Sequence, residues 1–247
     1  MNDSRLVSTK TLAESDRLAM YSLLSNHFEG VTSEVFEADL QQKNWVVLME
    51  KNGILKGFST LLFYRSEFAG EVISVVYSGD TIVDPSAWSS STLSKAWIAA
   101  VKKLRRDAGL DRPGGKLYWL LISSGYRTYR FLPTFWREFY PRFDRQTPET
   151  TKALMEFLGG DRFGECYNKE TGIVRFDRPQ SLRGQLKGIP PERLKDPHVS
   201  FFNAKNQGHL VGDELLCLAE IAEENLTPAG RRMWFANVRS NRFSDSY

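Results

Sequence analysis

Apolar residues recur at helical spacing near the start of the chain. Over residues 15–28, SDRLAMYSLLSNHF, the positions Met20, Leu23, Leu24 and Phe28 share one helical face behind Ser15 as cap. Residues 33–42 repeat the pattern, with Ser33 as cap and Val35, Phe36 and Leu40 turned inward. The period then changes. WVVLME (45–50) and ILKGFSTLLFY (54–64) read as strands joined by a tight Asn52-Gly53 turn. After Ala69-Gly70, EVISVVYSGDTIV (71–83) adds a third, which makes an antiparallel meander. A helical stripe resumes with Leu93, Trp97, Val101 and Leu104 and ends at Gly109. KLYWLLISS (116–124) has too many consecutive apolar groups for an edge strand and suits a central strand buried on both faces. A strand, a helix and a buried strand in that order predict a right-handed parallel crossover.

Downstream, Tyr129, Leu132, Trp136 and Tyr140 are spaced for one helical face, with Pro133 opening the helix after an irregular turn. TPETTKALMEFLGG (147–160) predicts a short helix, capped by Thr147 or Thr150 and stopped by Gly159-Gly160. TGIVRF (171–176) predicts a short strand. Residues 177–197 hold four of the ten prolines and read as a long loop. HVSFFNA (198–204) is expected as a strand, and GDELLCLAEIAEENL (212–226) as a helix or as a strand running into one. The tail NVRSNRFSDSY (237–247) is expected to be disordered.

Composition narrows this picture. A chain of 247 residues is long for one domain and short for two, which points to one large domain or a core with an extension. A net charge of +3 is too small for a nucleic-acid surface, and Lys102, Lys103, Arg105 and Arg106 suit the solvated end of one helix. Cys166 and Cys217 lie far apart, which disfavours a disulfide framework and fits a reducing compartment. The first residues lack the apolar core of a signal peptide, and no apolar stretch is long enough to span a bilayer. A cytoplasmic protein that binds neither membrane nor nucleic acid is expected. His27, His198 and His209 are not at metal-ligand spacing, so no metal is expected. The motifs G-x-S-x-G, G-x-x-x-x-G-K and G-x-G-x-x-G do not occur. Asn203, Asn206, His209 and Asp213 either line a pocket or serve a turn, and composition favours the turn. The aromatic and basic run of residues 126–140 reads as a core-facing stripe with its arginines reaching outward.

The segment GDTIVDPSAWSSSTLSKAW (79–97) carries the candidate chemistry. An apolar strand end meets Asp84-Pro85, and four hydroxyls follow, Ser89, Ser90, Ser91 and Thr92, before a helix begins. A strand that feeds a helix in this way offers backbone N–H groups to an anion. This segment and TFWREFYPRFD (134–144), taken with the order of elements, resemble the GNAT-type N-acyltransferase superfamily over roughly residues 12–145. The family's pyrophosphate loop reads Q/R-x-x-G-x-G/A. Here Trp88 stands at the Gln or Arg position, Ser91 at the first glycine and Leu93 at the second. Their Cβ groups obstruct close approach of a phosphate. The helix N-terminus and the hydroxyls can still hold one. Two readings stay open: a pyrophosphate held in a modified pose, or a helix start in which Ser90 is only a cap.

The resemblance implies an α/β (α+β) fold, a mixed, mostly antiparallel sheet flanked by helices. Its core would be residues 1–145, with residues 146–247 as an extension packed on it. It implies acyl transfer from a thioester, acyl-CoA or the acyl-phosphopantetheine of an acyl carrier protein, to a small-molecule amine. The donor would lie along Ile82, Val83 and Asp84 with its phosphates at Ser89–Thr92. Tyr140 falls at the family's tyrosine and Phe143 at its closing aromatic, so Tyr140 is the candidate acid for the leaving thiolate. Asp80 and Tyr77 are the candidate bases. The alternatives are a non-catalytic module that binds a ligand or protein through the altered loop, and an enzyme that reuses the fold for other chemistry.

Overall fold

The computed structural model describes residues 2–236; the tail whose disorder was expected lies outside them. Five elements precede the crossover: β1 (Asn2–Ser8), α1 (Glu14–His27), α2 (Ser33–Gln41), β2 (Trp45–Lys51) and β3 (Ile54–Phe68). The crossover itself is β4 (Glu71–Val83), α3 (Thr92–Asp107) and β5 (Leu117–Ser123). Then come α4 (Tyr126–Tyr129), α5 (Phe131–Phe135), β6 (Phe139–Tyr140) and α6 (Glu149–Phe163). The last elements are β7 (Tyr167–Asn168), β8 (Ile173–Val174), α7 (Pro197–Lys205), β9 (Glu214–Glu220) and α8 (Pro228–Trp234).

The strands form one sheet in the order β1-β2-β3-β4-β5-β9-β8-β7, with β6 also on β9. Among these pairings β4–β5 is parallel and the others are antiparallel. This is the expected fold class, a mixed, mostly antiparallel sheet flanked by helices. The meander closes through left-handed backbone at Asn52 (φ 54°), Gly53 (75°), Ala69 (53°) and Gly70 (78°), which matches the twist of the strands. One face of the sheet packs Trp97, Ile98 and Val101 of α3 with Tyr129, Trp136, Phe202 and Trp234. The other packs Met20, Leu24, Phe36 and Leu40 from α1 and α2, and Leu154, Met155 and Leu158 from α6.

Several expectations are corrected. β1 has only Leu6 and Val7 as apolar signal, yet its ladder with β2 runs from Asn2↔Lys51 to Ser8↔Trp45. Ser15 lies inside α1, and Thr32, not Ser33, caps α2 by accepting from Val35 N at 3.3 Å. The single helix expected around residues 129–140 is two short ones, after which the chain turns extended. Glu138 N donates to the Asn225 side chain (2.7 Å), and Phe139 and Tyr140 pair with Ala219 and Leu218. α6 runs through Gly159-Gly160 because Gly159 serves packing: a Cβ there would lie 2.6 Å from the Tyr167 ring. HVSFFNA is helical. Asp196 accepts from His198 N (3.0 Å) and Pro197 fills the first turn, a start signal that outweighs the strand preference of Val and Phe. The open choice for GDELLCLAEIAEENL resolves to β9, a strand buried over Leu215–Ala219.

Candidate active site

β4 and β5 pair only from Ser74↔Leu117 to Ser78↔Leu121. Beyond that point β4 stays with β3 as far as Val83, while Ile122 and Ser123 of β5 stay with β9. The two strands therefore part at their carboxyl ends, where open α/β sheets bind ligands. A cavity of about 830 Å³ opens there. On its β4 side Ser59 pairs with Thr81 and Leu61 with Ser78, so both Gly79 and Asp80 oppose Thr60. Such a bulge re-aims the strand, and here Gly79, Asp80 and Thr81 all line the cavity. Gly79 has a steric reason to be glycine. A Cβ would lie 2.6 Å from Lys43 Cε and 2.7 Å from Thr60 Oγ1. The buried Lys43 passes over this point, its Nζ 2.6 Å from Asp39 Oδ1 and 5.3 Å from the centre of the Tyr77 ring.

Asp80 on β4, Glu214 at the start of β9 and Asp39 on α2 face the same cavity. Burial raises the Asp80 carboxyl to about 7, Asp39 adds to the shift, and Lys43 opposes it. Burial likewise raises Glu214 to about 8, helped by Asp80 and Asp39. Like charges held together in a desolvated wall resist joint ionisation, so one acid of the pair keeps its proton near neutral pH. Tyr77, also in the wall, is pushed well above its ordinary range by burial and by Asp39 and Glu214. It stays a neutral hydroxyl, which counts against its use as a base.

Arg127, Arg130, Arg178, Lys187 and Arg193 line other parts of the cavity, and none pairs with Asp80 or Glu214 among the described residues. Arg127 stacks 4.1 Å over Trp88, whose indole N–H donates to Val83 O at 2.8 Å. An arginine from α4 thus sits beside the tryptophan that stands at the family's Gln or Arg position. α3 begins next to it with no acidic residue in its first turn.

Of the residues singled out from the sequence, Tyr77, Asp80, Ile82, Val83 and Ser90 line this cavity. Asp84 turns aside, accepting from Ser86 N at 2.9 Å and lying 3.6 Å from Lys56 Nζ. Ser89 lines a separate hollow of about 250 Å³, and Ser91 and Thr92 line neither. Ser91, not Ser90, stands at the N-cap of α3 and makes no side-chain capping bond, while Ser90 Oγ accepts from Thr92 N at 3.2 Å. Tyr140 is not at a helix end facing the β4–β5 cleft. It lies on β6, beyond β9, and its hydroxyl donates to Glu138 Oε2 at 3.0 Å. Of the polar residues near position 206, His209 lines the cavity. Asn206 is internal and donates to Ser123 O and Asp213 O, which ties β9 to the end of β5. Sequence reasoning missed Glu214, Asp39 and Lys43. Their spacing carries no motif, and only the sheet order brings β9 beside β5.

No protein-family model matches the chain, and no curated protein matches it. Among solved structures it is similar to Escherichia coli ElaA, at 15% identity and a TM-score of 0.39 over 60% of this chain and 95% of that one. A Trypanosoma brucei acetyltransferase matches at 20% identity and 0.37 over 59% and 98%. A GNAT family N-acetyltransferase (YhbS) from Escherichia coli, in complex with CoA, matches at 15% and 0.39 over 54% and 68%. Two of the three carry acetyltransferase names.

Proposed function

We propose that the chain transfers an acyl group from a phosphopantetheine thioester, acyl-CoA or an acyl carrier protein, to a small-molecule amine. One observation carries the reading. The cavity at the parted ends of β4 and β5 has carboxyls with raised pKa in one part of its wall and, in another, cations that pair with neither Asp80 nor Glu214 among the described residues. The carboxyls suit an amine and the cations suit the phosphates of a donor. Asp80 acts as base, taking a proton from the attacking ammonium. The amine nitrogen then bonds to the thioester carbonyl carbon and the C–S bond breaks; the nitrogen gives up its second proton, passed through the Tyr77 hydroxyl to the departing sulfur, so that an amide and a free thiol form and Tyr77 ends neutral. Arg127 and the first turn of α3 face the donor phosphates. Tyr140, expected as the acid, has no place in this arrangement.

Release of free thiol from acetyl-CoA, longer acyl-CoAs and an acyl carrier protein tests the reading, with a panel of primary amines. Amine-dependent release is expected, and Asp80→Asn should lower it by about 10²-fold or more. The second reading rests on Ser91 and Leu93 at the family's glycine positions. Donor binding seen by thermal shift, with no release for any amine, would make the chain a binding module.

A further inference from the structure

We infer that the acceptor carries two cationic groups, as a diamine does, and that Glu214 and Asp39 hold the one that does not react. This rests on the acyl-transfer reading and specifies its acceptor. Asp39, Asp80 and Glu214 bring three carboxyls to one wall, and Lys43 is the cation paired there, 2.6 Å from Asp39. Arg162 is near but engaged elsewhere, with its guanidinium over the Tyr77 ring (5.0 Å) and bonded to Gln42 (2.9 Å). The wall is thus short of positive charge, and each carboxyl raises the next. A second observation points to a ligand. Tyr77 is only 5% exposed and lines this cavity, yet its hydroxyl makes no hydrogen bond to any described residue. Asp39 Oδ2 is also buried without a partner. The Tyr77 hydroxyl faces the cavity open to a ligand, and a buried carboxylate oxygen left without a donor is costly unless a ligand supplies one.

A monoamine satisfies one carboxyl and loses its charge when it gives up the proton to Asp80, so no cation remains to favour ionisation of Glu214. A second ammonium on the same molecule keeps a positive charge against Glu214 and Asp39 throughout and can donate to the Tyr77 hydroxyl oxygen. The added pair is desolvated, the setting in which charge complementarity is strongest.

Isothermal titration of the full chain at pH 7.5, without an acyl donor, compares 1,4-diaminobutane with butylamine. The diamine is expected to bind at least about ten-fold tighter. Glu214→Gln should bring the two affinities within about two-fold, and Asp80→Asn provides a second test if that variant folds poorly. Equal affinities in the parent chain, or a preference that survives both substitutions, would overturn the inference, as would calcium ion competing at equal concentration. Diamine binding with no thiol release from any donor would sink acyl transfer and leave the dication site standing. Efficient transfer to butylamine without a diamine preference would do the reverse.

Discussion

Gly79 is where one added carbon should disturb the site. A methyl group there meets Lys43 Cε at 2.6 Å and Thr60 Oγ1 at 2.7 Å. Gly79→Ala should push Lys43 off Asp39 and lower stability by about 1–3 kcal/mol, read as a fall in denaturant midpoint. Under the proposed acyl transfer, the neighbouring Asp80 links activity to pH. Turnover should rise with pH as its carboxyl loses its proton near 7, and the acid limb of a kcat/KM profile checks this. Stability should run the other way. Between the ordinary carboxylate range and the raised values of Asp80 and Glu214, the folded chain binds more protons than the unfolded one. Stability therefore falls as pH climbs from about 4 toward 8. Asp80→Asn should flatten that slope and gain on the order of 1–3 kcal/mol at pH 8 while losing turnover. Chemical denaturation at pH 5 and pH 8 reads it. At this scale the sequence was legible where a residue sat next to a motif, as Asp80 does on the strand end. It was silent for Glu214, one acid ahead of an apolar run, because its partner is set by sheet order.

Among elements, α6 shows how one residue type carries two meanings. Gly159-Gly160 reads as a stop, yet the helix continues to Phe163 because Gly159 gives room to the Tyr167 ring. Ala at position 159 would raise helix propensity by up to about 1 kcal/mol. Overpacking against Tyr167 should outweigh that and cost about 1–3 kcal/mol, so Gly159→Ala is expected to lower the melting temperature. Gly160→Ala, with nothing within 4 Å of its Cβ, should be neutral or stabilising. The meander and crossover were legible because period and turn chemistry agree there, from Asn52-Gly53 to the two-sided run Leu117–Ile122. After Tyr126 only part was legible: α6 and the short strand at Ile173–Val174 stand where they were expected, but elsewhere short helices, two-residue strands and prolines leave too few periods to separate helix from strand. Asp196-Pro197 was the one local signal that would have turned HVSFFNA into a helix.

For the whole molecule, β9 joins the sheet beside β5 over Tyr118↔Glu220 to Ser123↔Leu215, so the expected extension enters the middle of the core. A chain ending at residue 145 would leave β5 with an open, fully apolar edge and no Glu214. We propose that it does not fold alone: circular dichroism should show no cooperative melt, and dye binding should report exposed apolar surface. The same placement has a consequence in time. Residues 215–220 follow residues 118–123 by close to a hundred positions. At about 5–20 residues per second, β5 leaves the ribosome several seconds before the strand that covers it. During that interval the nascent chain presents a sticky edge and has no assembled acid pair. Under the proposed chemistry, the site cannot assemble until β9 has been made and has paired with β5.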